Sequence, residues 1–496
     1  MDFLVKLNEW LWDPLIVVIL GFGLILTIVT KGLQIRRLPD MLRLLVSDGA
    51  GSTGLSSFQA FTLTLSSRVG VGSIAGVATA VAAGGPGALF WMCVMAFLGG
   101  ATAFIESTLA QIYKTSIDGS YRGGIPYYIE KGMNMKPLAI GAAITAIVLY
   151  AILAPGIQSN NIASSFAVAF NIEPIYCAAA VSAVLAFIIF GNPRKLIKFV
   201  EIVVPFMAVS YVLVAVVVLL VNAEAVPGAL KLIVTSAFGL DSVFGGIVGA
   251  AIAWGVRRAL FCNVAGVGEG TYGSAAAEVS HPAKQGLVQC FSIYVDTMIV
   301  CMATGLMMVV TNCYNVFDKA GGMILKNLDA DAGPAFTQAA IDSAFPGVGG
   351  VFVALAIAFF AFSTLVAFYY ICESNLFYLQ KAKGKISIFA LRAVMVGMVF
   401  FGAVNSSEFI WALGDVGYAS LAWLNLLCLL FLAKPALACL RDYDRQRALG
   451  IDPVFNPSSL GIENTECWQR FEGGVPSSSA PEITSDQSLN ANLQSR

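Results

Sequence analysis

Arg68-Val69-Gly70-Val71-Gly72-Ser73 interrupts an apolar run that extends from Ser57-Phe58-Gln59-Ala60 to Thr79-Ala80-Val81. A second run, from Val243-Phe244-Gly245-Gly246 to Ser274-Ala275-Ala276, is interrupted by Asn263-Val264-Ala265-Gly266-Val267-Gly268-Glu269. The two occupy matching places in the two halves of the chain. Non-helical backbone at membrane depth survives only where it is buried in protein or lines a cavity. A matched pair of interrupted spans points to the substrate site of a secondary transporter. The pattern predicts an all-α polytopic membrane protein that carries a small solute.

Composition agrees. The chain is 58% hydrophobic and 12% charged, with a mean hydropathy of +0.79, whereas soluble domains carry about 25% charged residues. A net charge of −1 leaves no basic footprint for nucleic acid. The single histidine, His281, and ten scattered cysteines form no metal-ligand spacing or disulfide framework.

A span needs roughly 20 apolar residues. Eleven stretches qualify, at about 14–30, 54–83, 87–113, 137–169, 174–190, 199–221, 243–278, 286–311, 347–380, 387–404 and 409–433. The first has acidic flanks (Asp2, Glu9, Asp13) and no signal-peptide cleavage pattern, so it reads as a retained helix. With the N-terminus outside, the inner connections hold 19 Lys and Arg and the outer ones hold Lys6, Lys231, Lys319 and Lys326. That bias predicts the cell (inner) membrane, with the N-terminus outside and the C-terminus cytoplasmic.

Residues 1–53 are expected to form an extra helix and a cytoplasmic amphipathic connector. Residues 54–221 and 222–433 are expected to form five spans each, and 434–496 a cytoplasmic tail, disordered after about 450. An odd number of spans per repeat inverts the second set, so the broken spans should run antiparallel.

Gly70 and Gly72 let the backbone leave helical geometry, and Ser73 is placed to cap the restarting helix. The amides of Gly72, Ser73 and Ile74 then face a cavity at a positive helix end, which suits a carboxylate. The carbonyls before the break suit a small hard cation. A glycine-rich packing surface is the plainer alternative. In the second break Asn263 offers a donor and an acceptor, or a cap, and Phe261 can close over a substrate. Pro155-Gly156-Ile157-Gln158-Ser159-Asn160-Asn161 is too polar to face lipid. Ser363 and Thr364 supply two adjacent hydroxyls for an oxygen-only cation site, or back-bond to their own helix. Asp296 and Asp415 are proton or ion sites, or partners of Arg68, Arg257 and Arg258; Glu201, Glu278 and Glu373 lie near span ends and take no role.

Gly70-Val71-Gly72-Ser73-Ile74-Ala75-Gly76-Val77-Ala78-Thr79-Ala80 resembles the GxGNIAGVATA signature of the alanine or glycine:cation symporter family, and Gly84-Gly85-Pro86-Gly87-Ala88-Leu89-Phe90-Trp91-Met92 its GGPGAxFWM run. Gly156-Ile157-Gln158-Ser159-Asn160, Leu260-Phe261-Cys262-Asn263 with Ala265-Gly266, and His281-Pro282 with Gln285-Gly286-Leu287-Val288 are similar to its later motifs. The resemblance covers roughly residues 10–440. It implies a leucine-transporter-like core, an inverted 5+5 repeat preceded by one extra helix, with 11 transmembrane helices. It implies sodium-driven import of a small neutral amino acid, alanine or glycine. Substrate contacts would map onto Gly72, Ser73, Ile74, Gln158, Phe261, Cys262 and Asn263, and sodium (Na+) onto Gly70, Ser363 and Thr364. Four features depart from the pattern: Ser73 for Asn, Cys262 and Val264 for Ser and Glu, Glu269-Gly270 for Ser-Ala, and Cys93 for Trp.

The alternatives are proton coupling through Asp296, Asp415 or Glu269, and an amino acid-binding channel or membrane sensor. An enzyme is not expected, since no nucleophile elbow, phosphate loop or His-Glu metal cluster is present. The charge bias generates a test. Cysteines introduced at Ser120 and Arg194 should label from the cytoplasmic side and one at Ala335 from outside; labelling of position 335 from inside overturns the topology.

Overall fold

A computed structural model describes residues 1–47, 54–117, 119–191, 193–318, 321–383 and 388–468. Its main helices, in chain order, are α1 (Asp2–Val29), α2 (Ser57–Arg68), α3 (Ala75–Gly84), α4 (Gly87–Ile112), α5 (Lys136–Phe170), α6 (Pro174–Ile189) and α7 (Pro193–Val221). They continue as α8 (Val248–Asn263), α9 (Gly270–Ala276), α10 (Pro282–Val310), α11 (Gly349–Lys383), α12 (Ile388–Val404) and α13 (Ser407–Ala448). Two short antiparallel hairpins, Thr115–Ile117 with Ser120–Arg122 and Val316–Phe317 with Met323–Leu325, are the only sheets among the described residues.

Eight helices among the described residues are long and apolar enough to cross a membrane. The other three expected spans fall short for visible reasons. The span at 54–83 is cut into α2 and α3, while α6 and α12 have 16 and 17 residues, roughly 25 Å of helix each. Large apolar side chains such as Val17, Ile25, Phe187, Phe206, Leu220 and Phe431 are exposed on the perimeter. Helices that are apolar on both faces bury one face in protein and give the other to lipid, so this is a multi-pass membrane protein.

The broken helices lie against each other and run antiparallel. At one end Leu55 N–H donates to the Ala276 carbonyl and Glu278 N–H to the Leu55 carbonyl, both at 2.9 Å. The Glu278 carboxylate accepts from Gly54 N–H at 2.8 Å, so a residue without an assigned role closes this clasp between the start of α2 and the end of α9. At the other end Gly84, closing α3, packs on α8: a Cβ there would stand 3.0 Å from Ala251 Cα. Ser56 and Gln59 form a reciprocal capping box that starts α2.

A second unit is built on α5, α11 and α12. Gly156 and Gly402 bring the α5 and α12 backbones into direct contact, and Asn160 Nδ2 donates to the carbonyls of Gly402 (3.0 Å) and Asn405 (2.8 Å). Asn160 thus serves helix packing. The extra helix α1 docks on α13 through Trp12 Nε1 to the Asp415 carbonyl (3.1 Å) and Asn8 Nδ2 to the Ala412 carbonyl (2.9 Å). The connector helix Leu38–Ser47 is held by Asp40 paired with Arg37 and Arg447.

The expected disordered tail requires correction. Residues 450–468 pack onto the helix ends, with Phe455 and Trp468 each 1% exposed; these aromatics supply the apolar area that a composition average hides. Residues 469–496 of that tail lie outside the described residues.

Gly402→Ala places a methyl group into the Gly156 backbone and should destabilise by about 1–3 kcal/mol. A thermal melt in detergent checks it, and an unchanged transition contradicts the close approach.

Candidate functional site

α2 ends at Arg68, where Val69 N–H still reaches the Leu65 carbonyl at 2.8 Å. A single 3-10 turn, Val71–Ser73, precedes α3. Within it Ser73 N–H donates to the Gly70 carbonyl (3.1 Å) and Ile74 N–H to the Val71 carbonyl (3.2 Å). The expectation that the Ser73 and Ile74 amides stand free is therefore corrected, because the turn occupies them. Val71 N–H instead points at Gln158 Oε1 from α5, at 3.5 Å.

The Ser73 side chain does not cap α3. Its hydroxyl donates to Asp296 Oδ1 on α10 at 2.8 Å, and its carbonyl accepts from Thr304 Oγ1 at 2.8 Å. Asp296 also accepts from Thr297 Oγ1 at 2.7 Å. It sits in a π-helical stretch, Tyr294–Cys301, a local widening that often marks functional sites. The sequence leaves Asp296 as a proton or ion site or the partner of an arginine. The partner it actually takes, a serine where the resemblance has asparagine, comes from the other half of the chain.

Thr364 on α11 meets the first break. A Cβ on Gly70 would stand 2.6 Å from Thr364 Oγ1, so glycine is needed there. That hydroxyl lies 2.9 Å from the Ser66 carbonyl and 2.8 Å from the Phe360 carbonyl. Ser363 is buried, but its hydroxyl back-bonds to the Phe360 carbonyl at 3.0 Å. The two adjacent hydroxyls are thus not equivalent.

The two breaks touch. A Cβ on Gly72 would stand 2.8 Å from Phe261 Cδ1 and 3.0 Å from Cys262 Sγ. Phe261 in turn packs on Trp411 and Tyr418 of α13, with ring centroids 4.9 and 4.8 Å away. Asn263 Oδ1 accepts from Ala265 N–H at 3.1 Å, which is the capping role, while its Nδ2 is buried without a partner. Val264 adopts φ +48°, a conformation uncommon for a β-branched residue. Gly266 and Gly268 follow at φ +88° and +87°, which a side chain would strain.

Of two anchors of the second break, Glu106 is legible only as an ionisable residue within a span, and Asn425 carries no signal. Glu106 Oε2 on α4 accepts from Gly266 N–H (3.2 Å) and from Asn425 Nδ2 on α13 (3.1 Å). Asn425 also donates to the Gly266 carbonyl at 3.0 Å. Among the other ionisable residues, Asp415 is held by both Nη atoms of Arg258, at 3.0 and 3.2 Å. Arg68 Nη1 donates to the Gln289 carbonyl at 2.9 Å and to Ser292 Oγ. Glu269 is within reach of the Ser67 and Tyr150 hydroxyls and near Arg68, but neither of its buried carboxylate oxygens makes a well-aligned hydrogen bond.

The geometry therefore gathers Gly70, Gly72, Gln158, Phe261, Cys262 and Thr364 at one place, supported by Ser73 and Asn263. Ile74 is buried there through its backbone turn.

The sodium:alanine symporter family model matches residues 1–457. A Bacillus subtilis protein named putative sodium/proton-dependent alanine carrier protein YrbD is 48% identical over 95% of this chain and 98% of its own. The sodium/proton-dependent alanine carrier protein of Bacillus sp. PS3 is 47% identical over 86% of this chain and 97% of its own. A B. subtilis protein named probable sodium/glutamine symporter GlnT is 38% identical over 93% and 94% of the two chains.

Ser73→Ala leaves Asp296 short of a buried donor and should cost about 1–3 kcal/mol, whereas Ser73→Asn restores one. Melting temperatures of the pair check this; equal loss in both shows that the hydroxyl does not brace α10.

Proposed function

The chain belongs to the sodium:alanine symporter family, a family of transporters, and we propose that it imports a small neutral amino acid, alanine or glycine, together with sodium by alternating access. The observation that carries this reading is the convergence of Thr364 and the Ser66 carbonyl at the first break, directly beside the contact of Gly72 with Phe261 and Cys262. The architecture proposed is an inverted 5+5 repeat, 54–221 and 222–433, behind one extra helix, with 11 spans, an external N-terminus and a cytoplasmic C-terminus.

Sodium requires several oxygens in a dry interior. The Ser66 carbonyl, the carbonyls adjoining Gly70 and the Thr364 hydroxyl offer them, with Ser363 joining if it turns from the Phe360 carbonyl. Binding there ties α2 to α11 and so links the two units of the bundle. The amino acid's carboxylate takes the place of Gln158 Oε1 at the Val71 amide, beside Gly72, and Gln158 then turns to hydrogen-bond it. Ser73 acts through its backbone and through Asp296, and Ile74 through the turn. Phe261 and Cys262 give the apolar wall that suits a methyl side chain, and Asn263 Nδ2 supplies the donor left unused by the turn. Each ligand drives the change only by as much as it prefers one state over the other. Sharing one broken helix makes each ligand's preference depend on the other.

A second reading, proton coupling, is favoured by one observation. Of the three carboxylates in question, Asp415 is held by Arg258 and Asp296 by well-aligned hydroxyls, while the buried Glu269 has the Ser67 and Tyr150 hydroxyls beside it but in poor hydrogen-bond alignment. Alanine uptake into proteoliposomes under a sodium gradient, at equal pH inside and out, separates the readings. Uptake only under a pH gradient replaces sodium with the proton.

Thr364→Ala should raise the sodium concentration for half-maximal uptake by roughly tenfold to a hundredfold, the worth of one buried ligand at about 1–3 kcal/mol. Ser363→Ala should do less, since its hydroxyl faces its own helix. Wild-type sodium dependence in both variants removes the cation from this place.

A further inference from the structure

Past α13 the chain reverses at Gly450 (φ +75°) and crosses one end of the bundle. Asp452 pairs with Lys284 of α10 at 2.8 Å. The Pro453 carbonyl accepts from Ser280 Oγ at 2.8 Å, and Phe455 N–H donates to the Ser280 carbonyl at 2.9 Å. The Phe455 ring stands edge-on to both His281 and Trp468, with centroids 5.6 and 5.0 Å away. Further on, Glu466 accepts from Thr115 Oγ1 at 3.0 Å and pairs with Lys131 at 3.2 Å. Trp468 Nε1 donates to the Gln111 carbonyl at 2.9 Å, and the Lys114 ammonium lies 4.9 Å from its indole centroid.

These anchors are not spread at random over the surface. Ser280, His281 and Lys284 lie on and just after the connection from α9 to α10, next to Ala277 and Glu278, which clasp Leu55 at the start of α2. Lys114 Nζ donates to the Ala277 carbonyl at 2.9 Å, and Gln111 Nε2 donates to the same carbonyl at 3.0 Å. The segment therefore binds the α9 side of the clasp that joins the two broken helices, and it ties that side to the end of α4. The same connection is tied to α13, since His281 Nε2 stands 3.4 Å from Asp442. The family match ends at residue 457, so the half of the segment with Glu466 and Trp468 lies beyond it. Two aromatics 1% exposed give the segment a firm seat, whereas its polar anchors are single bonds, each weak enough to break and re-form.

We propose that residues 450–468 are a strap that holds this end of the broken-helix pair closed and sets the rate at which it opens. The proposal rests on the alternating-access reading above: opening this end by moving the α9–α10 connection away from the end of α4 separates the residues to which the strap is tied, so the strap must yield first.

The test uses the full chain, a truncation after Gly450, Trp468→Ala, and Asp452→Asn. The last changes a side chain 67% exposed and guards against a variant that merely misfolds. Amide hydrogen exchange across 276–284 and 111–117 is measured alongside counterflow of labelled alanine in proteoliposomes. The truncation and Trp468→Ala should speed both by about fivefold or more, the lower end of a typical coupling, and Asp452→Asn should move both in the same direction by less. Unchanged exchange overturns the strap. Faster exchange with unchanged or slower counterflow overturns its control of opening. Absence of alanine counterflow in the full chain would instead defeat the transport reading, and the exchange difference alone would then decide whether the segment clamps this end.

Discussion

Backbone that leaves the helix inside a membrane has no water to bond with, and every other feature of this molecule follows from how that debt of hydrogen bonds is met. The first break closes a 3-10 turn on itself and borrows Gln158 and Thr364 from two other helices. The second borrows Glu106 and Asn425. Each borrowed group fixes a helix to a break, and Ser73 is bonded to Asp296 and Thr304 of α10, so the breaks are the hub on which α4, α5, α10, α11 and α13 converge.

The same constraint explains which polar groups are available for ligands. Asp415 and Asp296, deep in the bundle, are held by Arg258 and by the Ser73 and Thr297 hydroxyls, and behave as framework. A buried ion pair or satisfied carboxylate gives position more than stability. What is left over is small: the Val71 amide under a distant Gln158, Asn263 Nδ2 and the Glu269 carboxylate, next to the Thr364 hydroxyl that already bonds the Ser66 carbonyl. In the proposed reading, these groups form an oxygen cluster for a cation and an amide with an apolar wall for a small amino acid.

Much of this was legible in the chain. Glycines at 70, 72, 266 and 268 mark the breaks because no other residue tolerates those approaches and angles. Hydropathy marks the long helices because lipid demands apolar faces all round. Three things were not legible. Whether Ser73 caps its own helix or braces Asp296 depends on a contact 223 residues away. Which of Ser363 and Thr364 faces the break depends on a rotation of α11 that neither residue type encodes. Residues 450–468 read as tail because their few apolar residues have no periodicity, yet Phe455 and Trp468 are enough to seat them.

In the proposed reading one broken helix carries both ligands, so that each should strengthen the other. Titration calorimetry on the purified protein tests it by measuring alanine affinity at low and saturating sodium, and sodium affinity without and with alanine. Linkage requires the two factors to be equal. Equal enhancements greater than one are expected, both lost in Thr364→Ala. Alanine affinity that is the same at every sodium concentration would contradict that reading.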